Sequence, residues 1–251
     1  MTDENGLSAE IALLWGLREP ARRGRKPALS VPDITRAAIE VADTEGLGAV
    51  SMARVAKQLG NSTMALYRHV NSKDELLKLM SDAALNDPPE MPADIEWRDG
   101  LTLWANSVLA ALREHPWYAL IPLDGPPIGP RNLAWFDCAL GTLADTPLAE
   151  SEKVGVVMGL LTFVHGEIRL TAELAESFRE NPEAFGRAYS QALRLLVDPR
   201  KMPALGRVVD AGVFDFDTLY DEREVQADFR FGLNLYLDGV AAYLARRTDV
   251  T

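Results

Sequence analysis

Residues 51–73, Ser51 to Lys73, read SMARVAKQLGNSTMALYRHVNSK, and their punctuation predicts two short helices joined by a tight turn. Ser51 is a good N-cap for the first helix, and Ala53, Val55, Ala56 and Leu59 put small and branched apolar groups on one face. Gly60 supplies a left-handed residue that ends this helix without a Cβ penalty. Ser62 can cap a second helix barely two turns long. In it Met64, Leu66 and Val70 are apolar, whereas Thr63, Tyr67, Arg68 and His69 are polar or amphipathic. A helix that short does not hold itself in water. It has to be propped against its neighbours, which leaves the polar face for a partner.

That face suits DNA. Tyr67, His69 and Lys73 are the kinds of side chain that contact phosphates, and residues at the start of a presented helix reach base edges in the major groove. The plainer alternative is a surface helical hairpin whose polar groups are only solvated. The short length, the glycine turn and the aromatic-basic pattern together favour a DNA reader.

The surrounding residues strengthen this reading. Ala37-Ala38, Glu45-Gly46-Leu47, Val55-Ala56 and Leu59-Gly60 are followed by Leu66-Tyr67-Arg68-His69-Val70 and Lys73-Asp74-Glu75-Leu76-Leu77. Residues 30–85 thereby resemble the DNA-binding domain of the TetR (tetracycline repressor) family. The resemblance implies DNA contacts from Ser51 and Met52 at the start of the second helix, from Thr63, Met64, Ala65, Tyr67, Arg68 and His69 on the third, and from Lys73 opening the fourth. Ala53 departs from the pattern, standing where the tetracycline repressor itself resembles a guanine-reading arginine site, so no operator sequence is implied.

The whole-chain charge of −11 looks wrong for a DNA binder until it is divided by region. Residues 18–73 hold ten Lys/Arg and five Asp/Glu, so positive charge gathers where phosphate would be met. The acidic remainder repels DNA in every other orientation. A length of 251 residues, 47% of them apolar, allows one or two domains with a sizeable core. The single Cys138 excludes an intrachain disulfide framework and fits a reduced, cytoplasmic setting. Asp3 and Glu4 are not the basic start of a secretory signal. The apolar run from Val154 to Val164 is too short to span a bilayer, so no membrane partner is expected.

Taken in order, residues 1–29 form an extension. Ser8 to Leu17 predicts a turn or two of amphipathic helix, and Arg22, Arg23, Arg25 and Lys26 a basic arm that either contacts DNA or is simply solvated. Residues 30–87 carry the helix-turn-helix domain. Its first helix spans about Val31 to Glu45, behind a Ser30/Asp33 cap, and its fourth runs from the Ser72–Glu75 capping box to about Asn86. Pro88, Pro89 and Pro92 mark a boundary. Residues 93–248 are helical by pattern. One helix ends at His115-Pro116, an apolar one contains Leu133 to Leu143, and a long one opens at Thr146-Pro147. Another starts at Pro182, a looser stretch follows Pro203, and a final helix covers about Glu222 to Arg246. Trp97-Arg98, His115-Pro116-Trp117 and the last helix carry a resemblance to the tetracycline-repressor ligand-binding domain. This implies a homodimer whose seam is built from Val154, Val157, Leu161 and Ile168 with Phe229, Leu233, Tyr236 and Val240; a core within one chain is the alternative.

No nucleophile–base set or metal-ligand spacing stands out around His69, His115 and His165, and no phosphate-cradling glycine loop is present, so neither an enzyme nor a metal or other cofactor is expected. Asn106, Thr162, His165, Glu167 and Arg169 lie among apolar residues, with Trp104, Trp117, Trp135, Phe136, Met158 and Phe163 as walls. That is the usual make-up of a small-molecule pocket, or else of an aromatic core with a satisfied buried histidine. The expectation is an all-α protein. A three-helix DNA-binding domain is joined by a fourth helix to a larger helical ligand-binding and dimerisation domain, and a palindromic operator, a second copy and a small-molecule effector are the partners. Its rivals are a ligand-independent or activating regulator, and an enzyme or binding protein with a vestigial helix-turn-helix.

Overall fold

Ser30 accepts the Asp33 N–H at 3.3 Å and opens the helix Val31–Glu45, with Pro32 in the first turn where a missing N–H costs nothing. Gly46, at φ 82°, ends it. The computed structural model describes residues 7–17, 29–122, 127–180, 187–215 and 222–248, and among these every regular element is helical. In chain order they are α1 (Ala9–Leu14), α2 (Val31–Glu45), α3 (Met52–Gln58), α4 (Thr63–Tyr67), α5 (Lys73–Ala83), α6 (Trp97–Glu114), α7 (Pro130–Thr142), α8 (Glu150–Glu180), α9 (Arg187–Leu196), α10 (Pro203–Asp210) and α11 (Glu222–Thr248). Short 3-10 turns follow α2 (Leu47–Ala49) and α6 (Pro116–Leu120). The basic arm 22–26 and the expected helix start at Pro182 lie outside the described residues.

The chain divides into two compact units, Met1–Thr162 with Ala242–Thr251, and Phe163–Ala241, so the division falls inside α8 and α11. In the first unit α2, α3, α4 and α5 pack on one another around Ile34, Ala38, Val41, Val55, Leu66, Val70, Leu76 and Met80, all buried. α1 packs on α5, burying Ala12 and Leu13. Beyond them Leu101, Trp104, Leu112 and Leu143 are buried, with the Trp104 ring N–H donating to the Trp135 carbonyl at 2.8 Å. The start of α8 meets the end of α11 through Glu152, which accepts the Tyr243 hydroxyl at 2.6 Å and an Arg247 N–H at 2.7 Å. In the second unit Phe163 stacks on Phe229 with centroids 5.6 Å apart, and the hydrogen on Gly232 leaves the room this needs: a Cβ there would lie 2.7 Å from the Phe163 ring.

Several expectations need correction. α5 stops at Ala83, not near Asn86, because the carbonyls of Ala83 and Asn86 turn to side-chain donors on α7 and Asp87 precedes a proline. α8 begins at Glu150, after a turn in which Thr146 N–H donates to Leu143, rather than at Thr146-Pro147. The stretch after Pro203 contains a helix, α10, opened by that proline and followed by Gly212 at φ 71°. Most of the residues expected to form a seam between two copies are core of their own chain. Val157, Ile168, Phe229, Leu233 and Val240 are buried, Leu233 being only 2% exposed. The open side of α11 carries Phe231 (67% exposed) and Leu235 (58%) instead, and that of α8 carries Val154 and Leu170. The segment Glu150–Leu174 of α8 is also long and apolar enough, by length and composition, to cross a membrane, which the 154–164 run alone did not show. A helix that packs one side into the core of its own chain passes the same test, and Val157, Leu160, Val164 and Ile168 of α8 are buried.

Candidate nucleic-acid interface

The turn between α3 and α4 is set by hydrogen bonds that the sequence can be seen to supply. Ser51 Oγ accepts the Arg54 N–H at 3.1 Å, starting α3. At its end the Gly60 N–H donates to Lys57 O (3.2 Å) and the Asn61 N–H to Ala56 O (2.9 Å), the paired bonds of a Schellman cap, with Gly60 at φ 64°. Ser62 Oγ accepts the Ala65 N–H at 3.2 Å and starts α4. Leu66 and Val70 are buried, which props this five-residue helix against the rest of the head. α5 starts on Ser72, whose Oγ accepts the Glu75 N–H at 3.0 Å. The Glu75 carboxylate reaches back to the Asn71 backbone N–H and, at 3.2 Å, to its side-chain amide. The expected capping box is therefore present, displaced by one residue at its return bond.

With these contacts made, α4 leaves a distinct set of groups in solvent. Met64 is 72% exposed and Tyr67 44%, Arg68 is exposed beside them, and Lys73 is exposed at the first position of α5. Thr63, Ala65 and His69 are half-buried on the same short segment. Ser51 is exposed, but its hydroxyl oxygen already accepts from Arg54. Met52 differs from the expectation of a DNA-facing side chain: the residue is buried, at 5% exposure, in the first turn of α3. Arg54 also differs from a free cation. Its guanidinium holds Glu45 at 2.5–3.2 Å and Gln58 at 2.9 Å, and Gln58 in turn donates to Glu40 at 3.3 Å. The hydrogen bond to Arg54 keeps the Glu45 carboxyl below its ordinary range. This network ties α3 to α2 and orients the turn.

The candidate effector residues fall into two groups. In the first unit Trp104 is buried, Phe136 and Met158 are half-buried, and exposed Thr162 donates to the Met158 carbonyl at 2.8 Å. Trp117 is buried too, and its ring N–H donates to Asp43 of α2 at 2.6 Å, with His115 Nδ1 on the same oxygen at 2.8 Å. Asn106 donates to Thr102 O one turn back. In the second unit Arg169 is exposed and paired with Glu173 at 2.8 Å, and burial pushes His165 down to about 4. Sequence reasoning missed the junctions made by Asp43 and Asp82. Asp82 is buried at the end of α5 and accepts three N–H groups from the start of α7, 49 and 50 residues away. The HPW triplet 115–117 was the only local hint of the Asp43 junction.

Residues 34–80 match the family model described as bacterial regulatory proteins, tetR family, and residues 89–244 the one described as tetracyclin repressor-like, C-terminal domain. The HTH-type transcriptional repressor DrrR1 of Streptomyces coeruleorubidus is 32% identical over 248 residues, covering 96% of this chain and 88% of that one. An HTH-type transcriptional regulator of Saccharopolyspora erythraea is 28% identical over 89% of each chain. The crystal structure of the Streptomyces coelicolor TetR family protein ActR in complex with (S)-DNPA shares the fold, with a TM-score of 0.69 at 23% identity over 86% of this chain and 99% of that chain. The capped α3–turn–α4 head and the helical body behind it thus have their counterparts across nearly the whole length, and this chain belongs to the TetR family of DNA-binding transcriptional regulators.

Proposed function

We propose that this protein is a repressor that sits as a homodimer on a palindromic operator, in the cytoplasm, and leaves it when a small molecule binds the body. The observation that carries the DNA half is the solvent-facing set Met64, Tyr67, Arg68 and Lys73, held on a turn fixed by three serine caps and Gly60. A single five-residue helix reaches too few base edges for specific binding, whereas two heads at one spacing add their contacts. The second copy is supported by α8 and α11, each of which leaves an apolar side uncovered. Space beyond Gly155, Gly166 and Gly239 is open, so another backbone can come close there. Release by a small molecule is supported by the family and by a relative of the same fold that was crystallised with one. An effector acts only through its differential affinity for the bound and free head spacings.

The test is to select duplexes from a random pool with the full-length protein and measure binding against salt. A palindrome with half-sites roughly 34 Å apart is expected, with affinity falling as salt rises. Binding without any preferred sequence sinks the repressor reading. Small molecules are then screened for release of the selected duplex.

A further inference from the structure

α5 and α7 exchange caps. Gly129, the residue before α7, has no side chain with which to cap it, and Pro130 occupies the first turn. The missing acceptor comes from another helix. The buried Asp82 Oδ1 of α5 accepts the Arg131 N–H, the Asn132 N–H and the Asn132 side-chain amide, each at 3.0 Å. In return Arg131 of α7 donates a guanidinium N–H to the carbonyl of Ala83, the last residue of α5, at 2.8 Å. One turn further along α7, the Trp135 ring N–H donates to Asn86 O at 2.7 Å. A Cβ on Gly129 would lie 2.1 Å from Asp82 Oδ1, so the close approach of the two helix ends depends on that glycine.

We propose that this reciprocal cap is the joint that fixes the direction of α5, and with it the DNA-reading head, on the body, making Asp82, Arg131 and Gly129 positioning residues for operator binding. The Asp82 and Arg131 contacts join the end of α5 to the start of α7, and Trp135 holds the segment just beyond α5. Sliding or tilting α5 by an ångström or two breaks all of them together, because hydrogen bonds weaken steeply with distance and angle. A carboxylate left without its donors in a buried site is costly, so the joint has one favoured arrangement. The head therefore keeps a set orientation while the body holds it. The inference rests on the dimeric-operator reading above, since a fixed head matters most when two heads must meet two half-sites at one spacing.

The experiment separates a joint from an ordinary cap. Asp82→Gly removes the acceptor and also the Asp82 Cβ, which lies 2.9 Å from where a side chain on residue 129 would begin. It lowers the melting temperature by uncapping α7 and by placing a glycine in the last turn of α5. Adding Gly129→Ser returns a local N-cap to α7, because residue 129 already has the extended backbone of a capping position (φ −72°, ψ 153°). Binding is measured on the duplex selected by the wild type and on versions with one or two base pairs inserted between half-sites. Expected for Asp82→Gly/Gly129→Ser is a melting temperature recovered relative to Asp82→Gly. The base preference of each half-site stays unchanged, while discrimination against the inserted duplexes falls by about tenfold or more. Arg131→Met, which leaves the α5 sequence and the Asp82 carboxylate in place and removes only the bond to the Ala83 carbonyl, shows the same relaxed spacing and serves alone if the double variant does not fold. Spacing discrimination that matches the wild type in these variants overturns the joint and leaves Asp82 a stabilising cap only. A wild type with no spacing preference at all instead counts against the dimeric operator.

Discussion

Tyr67 and Arg68 are neighbours in sequence and both exposed, yet they are expected to fail differently. If Tyr67 and Lys73 meet phosphate as proposed, Tyr67→Phe and Lys73→Ala lower affinity for all duplexes together while the selected sequence stays the same. If Arg68 and Met64 meet base edges instead, Arg68→Ala and Met64→Ala shift the preferred base at single positions by about 1–3 kcal/mol. Repeating the duplex selection with each variant decides this; equal losses and an unaltered consensus for both sets reject the division. His165 is the residue with a pH signature. Burial holds its imidazole neutral down to about 4, against an ordinary value of 6.5. Below 6.5 the unfolded chain gains a proton that the native chain refuses, so stability is lost as pH falls from about 6.5 to about 4, by up to ~3 kcal/mol, and is insensitive to this group above that window. Urea unfolding at several pH values is expected to show a shallower acid-side loss in His165→Gln. The three serine caps and Gly60 were legible at this scale, since a cap acts within three or four residues of chain. The commitment of Arg54 to Glu45 was not, because the eight residues between them include a whole 3-10 turn whose path no local pattern reveals.

Among the elements, the α3–α4 turn is where backbone conformation limits the fold. Gly60 has open space where a Cβ would go, so Gly60→Ala meets no clash, and its cost is the left-handed backbone alone, about 1–2 kcal/mol. Gly60→Asn costs less, and thermal melts order the three proteins accordingly. Ser72→Ala is expected to cost about 1 kcal/mol by opening the α5 cap, and to weaken DNA binding through Lys73, which that cap positions. Helix existence followed from periodicity for α2, α5, α6 and α11. α10 was missed because its eight residues show barely two turns of pattern, and Pro203 reads as a breaker until it is seen at a helix start. The early end of α5 was missed for another reason: the donors that take its last carbonyls come from α7.

For the whole molecule, the side of α11 on which a charge is placed decides its effect. Leu235→Glu puts a carboxylate on the uncovered side and is expected to give well-folded monomers that lose specific operator binding, whereas Leu233→Glu puts it in the chain's own core and prevents folding. Sedimentation and circular dichroism of the pair check this; a dimeric Leu235→Glu protein moves the second copy elsewhere. Deleting residues 1–26 is not a clean test of the basic arm, because it also removes α1 from α5 and the Trp15 ring N–H from the Ile128 carbonyl. Changing Arg22, Arg23, Arg25 and Lys26 to glutamine is cleaner. If the arm meets phosphate, the slope of log affinity against log salt falls by about 3–4.

By itself the sequence determined the helical class, the helix-turn-helix and the exposed reader face, since caps, a positive-φ glycine and apolar spacing all operate over a turn or two. Only the tertiary structure decided which apolar stripe of α8 and α11 is core and which is left for a partner. Both stripes carry leucine and valine or phenylalanine, and the choice depends on which side neighbouring helices cover. It also decided that Met52 is buried, that Trp117 serves Asp43, and that Asp82 caps a helix 49 residues away. Hydrogen bonds between distant residues leave no periodic trace in the chain, because a single carboxylate looks the same in sequence whether it faces water or another helix's first turn.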